Sequence, residues 1–94
     1  MPNKEKIEEI LRGQLKVYKL ELIDESFKHA GHNDDAKKGG THMQLLIVSD
    51  DFKGRRLIER HKLIYKILDD QFKDGLHALA IKALTIEEAE AQSL

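Results

Sequence analysis

Hydrophobic positions change their period several times along this 94-residue chain. Ile7, Ile10 and Leu11 share one helical face, which Asn3 can cap and Gly13 can end. Tyr18, Leu20 and Leu22 then alternate with Lys19, Glu21 and Ile23, the two-residue period of a strand with one buried face. Met43 to Ser49 is apolar at nearly every position, as in a central strand covered on both faces. Leu57, His61, Ile64, Tyr65, Leu68 and Phe72 recur on one stripe and predict a helix over 57–72. Leu76 to Ala83 reads as a third strand. Thr85-Ile86-Glu87-Glu88 has capping-box spacing and opens a last helix.

Breaks separate these segments. Ser26 to Thr41 is loop-like, with Gly31, Asn33, Asp34, Asp35, Gly39 and Gly40. It is long for so small a domain, and loops of that length are functional or mobile. Ser49 to Gly54 is a turn, and Asp74-Gly75 is a strong break. The order helix, strand, strand, helix, strand, helix predicts an α+β domain on a three-stranded mixed sheet. A right-handed crossover makes strands two and three parallel. Strands one and two are expected to be antiparallel. No repeat or internal domain boundary is visible, so residues 1–94 read as one domain.

Composition narrows the classes. The formal net charge of −1 does not favour general nucleic-acid binding, although a local basic patch stays open. There is no cysteine, which excludes disulfides and an internal thiolate metal site and fits a reducing compartment. The charged N-terminus leads into no apolar stretch of a secretory leader, and no apolar run approaches about 20 residues. These features lead to the expectation of a soluble, cytoplasmic protein.

The five histidines are the candidate chemistry. His77 opens the third strand on the side of Leu79 and Ile81. It reads either as a half-buried, hydrogen-bonded residue or as a metal ligand at a strand end. His61 lies on the long helix's stripe and reads as a core residue. His29, His32 and His42 lie in or beside the loop, at a spacing that matches no common zinc signature. Asp34 and Asp35 lack the glycine a calcium loop needs. Asp24 and Glu25 are adjacent and read as solvated acids. No glycine-flanked nucleophile is present, so the chain is not expected to be an enzyme. Lys53-Gly54-Arg55-Arg56, with Arg60 and Lys62 beyond, can meet phosphates at a turn before a helix. Leu57 stands where the second glycine of a KH-type clamp loop would fall.

From Ile7 to Glu88 the chain resembles the BolA family. The resemblance rests on Asp24-Glu25-Ser26 with His29, Thr41-His42, Val48-Ser49-Asp50 with Phe52-Lys53-Gly54, Arg60-His61-Lys62-Leu63-Ile64-Tyr65, and Leu76-His77-Ala78-Leu79-Ala80-Ile81. It implies a class-II KH-like fold. It also implies partnership with a monothiol glutaredoxin and its glutathione, the two sharing a [2Fe-2S] cluster that the isolated chain is not expected to hold. The glutaredoxin side supplies thiolates. On this chain the implied ligands are His77 and His29, with His32 as an extra candidate three residues on. The implied role is iron–sulfur cluster trafficking or iron and redox regulation. Some bacterial members of the family are DNA-binding transcriptional regulators linked to cell shape and stress. By that resemblance Lys53, Gly54, Arg55, Arg56, Arg60 and Lys62 would form the contact surface. Pairing of two copies is left open. The loop here is longer than the family's usual one, and Met43 replaces the aromatic residue that commonly follows Thr-His.

Overall fold

The computed structural model describes residues 4–24 and 41–94, apart from the side chains of Thr41 and His77. The elements are α1 (Lys4–Gln14), β1 (Val17–Asp24), β2 (Thr41–Ser49), a 3-10 turn (Asp50–Phe52), α2 (Leu57–Ile67), α3 (Asp69–Lys73), β3 (Leu76–Leu84) and α4 (Ile86–Ala91). The sheet order is β1-β2-β3. β1 and β2 run antiparallel and β2 and β3 parallel, as the crossover argument requires. The fold is the expected α+β arrangement on a mixed sheet. The proposed Asn3 cap and the loop from Ser26 to Gly40 lie outside the described residues.

One main core lies on the α1–α3 side. It joins Ile7 and Leu11 of α1, Met43, Leu45 and Ile47 of β2, and Phe52, Ile64 and Leu68. A smaller cluster of Val48, Leu84 and Ala89 fills the opposite face under α4. β2 is therefore covered on both faces only near its C-terminal end. Gln44 is exposed and Leu46 half-buried, so the expectation of two covered faces fails over the first half of the strand.

Two register shifts correct the simple alternation. Val17 pairs with Ser49 and Lys19 with Val48, leaving Tyr18 as an extra residue in β1. Such a bulge re-aims a side chain, and Tyr18 is 65% exposed, not on the buried face. In β3, Leu76 pairs with Thr41 and Ala78 with His42, which leaves His77 in the shift. The period-two pattern that set His77 beside Leu79 and Ile81 is thus interrupted at His77.

The long helix is also corrected. It ends at Ile67, and Leu68 (φ −97°, ψ 14°) leaves the helical region before α3 begins. No glycine or proline marks this break. The buried residues of α2 are Arg60 and Ile64, followed by Leu68, while Leu57 and Tyr65 are exposed and His61 is half-buried. The buried stripe therefore sits one residue earlier than the apolar pattern indicates, and His61 is not a core residue. An arginine can take the core position because its guanidinium is satisfied there.

Candidate functional site

The histidine end of the sheet is built by topology. β1 leaves at Asp24, which pairs with Met43, and β2 enters at Thr41. The parallel β3 starts at the same end, with His42 in register with Ala78 next to His77. His42 and His77 therefore occupy neighbouring strands at the end where residues 25–40 depart and return. Main chains of adjacent strands lie about 4.8 Å apart. His42 is half-buried. His29 and His32 belong to residues 25–40 and lie outside the described residues, as does Glu25 of the acidic pair. Among the described residues no three histidine or carboxylate side chains gather as a metal site.

At the other end of the sheet lies the basic turn. Ser49 caps the 3-10 turn by accepting from the Asp51 N–H at 3.1 Å, and Asp51 Oδ2 accepts from the Lys16 N–H at 2.7 Å. The chain then turns through Gly54 at φ +76°, a conformation that costs a glycine little. Lys53, Arg55, Arg56 and Lys62 are exposed. Lys53 Nζ lies 3.5 Å from Asp50, Arg55 Nε donates to the Asp51 carbonyl at 3.1 Å, and Arg56 Nε is 3.8 Å from Glu59.

Arg60 departs from this group. It is buried, and Nη1 and Nη2 donate to the two Glu88 carboxylate oxygens at 2.6 and 3.2 Å. Nη1 also donates to the Ala83 carbonyl at 3.0 Å and Nε to the Arg55 carbonyl at 2.9 Å. Its carbon stands 6.0 Å from the Phe52 ring centre. Its charge is already matched, so the expected role in phosphate contact gives way to a structural one. Glu88 closes the predicted capping box as well, accepting from the Thr85 N–H at 2.8 Å while Thr85 Oγ1 accepts from the Glu88 N–H at 3.2 Å. The Arg60 guanidinium, together with the Thr85 N–H, holds the Glu88 carboxyl below its ordinary value. The capping box was visible in the sequence. The second use of Glu88 was not, because residues 60 and 88 meet only through the fold.

The profile described as BolA-like protein matches residues 11–88. The chain belongs to the BolA-like family. It is 46% identical over 87 residues to SufE-like protein 1, chloroplastic/mitochondrial, of Arabidopsis thaliana, covering 88% of this chain but 24% of that protein. It is 38% identical to the DNA-binding transcriptional regulator BolA of Escherichia coli, covering 93% of this chain and 79% of that protein. The solved BolA domain of SufE1 from Arabidopsis thaliana superposes with a TM-score of 0.77 at 48% identity, covering 89% of this chain and 92% of that one. These BolA-like neighbours share the mixed-sheet architecture. Among the described residues no helix is long and apolar enough to cross a membrane.

Proposed function

We propose that this BolA-like chain is a non-enzymatic partner of a monothiol glutaredoxin and supplies histidine ligands to a shared [2Fe-2S] cluster in a reducing compartment such as the cytoplasm. The supporting observation is one of chain position: His42 and His77 stand on neighbouring strands at the sheet end where the sequence carrying His29 and His32 connects β1 to β2. The donor set fits the group, since imidazoles can serve one iron of a two-iron cluster while thiolates serve the other. The cysteine-free chain has no thiolate to offer, so those come from the partner and its glutathione. When bound, such a cluster supplies electron storage and transfer. The chain's own residues hold it and tune its potential. His77 and His29 are the proposed ligands, with His32 able to substitute for His29.

The test is an absorption and circular dichroism titration of the chain into cluster-loaded monothiol glutaredoxin. A new spectrum is expected, with loss of the new bands on His77→Ala and an unchanged backbone circular dichroism. His29→Ala should weaken the bands, and His29→Ala combined with His32→Ala should abolish them. A wild-type spectrum from folded His77→Ala protein would sink the ligand assignment. A wild-type spectrum from the double variant would move the second ligand to His42.

A second reading has its own support. Lys53, Arg55, Arg56 and Lys62 are exposed around a turn that enters a helix, and the Escherichia coli relative is named as a DNA-binding regulator. We infer DNA contact through this turn, without Arg60. Phosphate contacts release counterions, so affinity should fall steeply with salt. Replacing Lys53, Arg55 and Arg56 together should lower both affinity and salt slope. An unaltered slope would move any DNA contact elsewhere.

A further inference from the structure

The outer edge of β3 is bonded by α2 side chains on either side of Ile81. Arg60 Nη1 donates to the Ala83 carbonyl at 3.0 Å and the Tyr65 hydroxyl to the Leu79 carbonyl at 3.5 Å, both from α2. Main-chain groups of alternate strand residues turn to the same edge, so residues 79, 81 and 83 share one. Among the described residues β3 is an outer strand of the sheet, and the bonds to its Leu79 and Ala83 carbonyls come from α2 side chains. The Ile81 N–H and carbonyl between them meet no further strand among the described residues. Such an edge is a template for added strands.

A groove of about 620 Å³ runs beside it, lined by Ile81 and Lys82 of β3, Leu57 and His61 of α2, and Arg55 and Arg56 of the turn. Leu57 is 61% exposed, an apolar side chain held out at the groove. Arg55, Arg56 and Lys82 are exposed. The acid in the lining is Glu88, and Arg60 occupies its carboxylate at 2.6 Å. Glu59 reaches Arg56 only loosely, at 3.8 Å. The groove thus combines the outward main-chain groups of Ile81, apolar surface and a surplus of cations.

We propose that this groove binds an extended peptide of alternating acidic and apolar residues, paired with the β3 edge at Ile81. Successive side chains of an extended strand point to opposite sides. One set would lie on Leu57 and Ile81, and the other would meet Arg55, Arg56 and Lys82. Main-chain bonds to Ile81 supply affinity and the alternation supplies selectivity. A nucleic acid fits this groove less well. Its phosphate chain cannot use the paired donor and acceptor of a strand edge, and Leu57 occupies the position that a clamp loop leaves to glycine. The site lies roughly 13 Å along the strand from His77, from the rise per residue, and stands independently of the cluster reading.

The probe is a fluorescein-labelled ten-residue peptide alternating glutamate and valine, followed by anisotropy and by amide NMR of the full chain. Saturable binding is expected, with the Ile81 and Ala83 amides shifted and Ile81 exchange slowed. N-methylation of alternate peptide nitrogens should abolish binding in one parity and spare it in the other. Arg56→Glu with Lys82→Glu should weaken binding at least tenfold while leaving the distant amide resonances in place. No saturable binding, or equal binding by both methylated peptides, would overturn the proposal. So would tighter binding at these amides by a ten-nucleotide thymidine strand, which would make the groove a nucleic-acid site.

Discussion

The two ends of β3 differ in how firmly they are tied into the fold. At the C-terminal end, Arg60 ties α2 to the Ala83 carbonyl, to the Arg55 carbonyl and to Glu88 of α4. Val48 and Leu84 are buried beneath Ala89 on the second face. At the N-terminal end the register slips around His77, Gln44 is exposed, and Ile23 is 51% exposed on an open face. Groups that satisfy one another inside a fold cannot be spent on a ligand. The locked end therefore carries stability, and the proposed cluster would draw its ligands from the end that Arg60 does not tie down.

Breaking the lock should have the largest effect. Arg60→Ala strands the Glu88 carboxylate and two carbonyls. Breaking a fully buried pair costs about 3–5 kcal/mol. The Glu88 side chain is 42% exposed, so water relieves part of that loss. We expect about 2–3 kcal/mol in urea unfolding, with the histidine-dependent cluster bands retained by the folded fraction. A loss of bands at full stability would show that the two ends are not separate.

The next effect comes through acid. The Glu88 pKa is depressed in the folded state, chiefly by the Arg60 hydrogen bond. Its stabilising contribution is thus complete above the ordinary carboxylate value of 4.5 and is lost as pH falls through the lower folded value. Glu88→Gln should cost about 1 kcal/mol at neutral pH, since the pair is partly solvated. It should also flatten the stability profile below pH 4.5. A profile that keeps the same acid slope in the variant would assign that slope to other carboxylates.

Much of this division was legible in the chain and some was not. Element order, strand directions and the Thr85–Glu88 cap follow from local pattern, because each depends on residues close in sequence. Tyr18 and His77 were placed by alternation, but bulges insert an extra residue and carry no signal of their own here. Arg60 looked like one more exposed cation beside Arg55 and Arg56. Its partner lies 28 positions away, so nothing local distinguishes it. The groove along β3 was invisible for the same reason: Lys82 and Ile81 meet Leu57 and His61 only after the crossover folds back.

A smaller change should tighten the locked end. α4 closes with the Ser93 N–H on the Glu90 carbonyl at 3.0 Å and the Leu94 N–H on the Ala89 carbonyl at 2.9 Å. This is the Schellman pattern, whose turning residue is left-handed and usually glycine. Ser93 holds φ 58°. Ser93→Gly relieves that conformation while adding freedom to the unfolded chain, for a net gain of about 0.5 kcal/mol. Amide exchange in α4 should slow accordingly. Faster exchange would mean that the serine is better tolerated than its backbone angle implies.

The smallest effect is expected at His61, where pattern and structure disagree most directly. Its place among Leu57, Ile64, Tyr65 and Leu68 suggests a core residue, and truncating one would cost a few kcal/mol. The stripe that is actually buried runs through Arg60, Ile64 and Leu68, leaving His61 half-buried at the edge of the groove. Substitutions outside the core usually stay within about 0.5 kcal/mol. His61→Ala should therefore unfold at nearly the wild-type urea concentration and keep the cluster bands that His77→Ala loses. A drop of 2 kcal/mol or more on the scale of core truncations would return His61 to the core. Lost bands at unchanged stability would instead exchange the roles of His61 and His77, placing the ligand on α2.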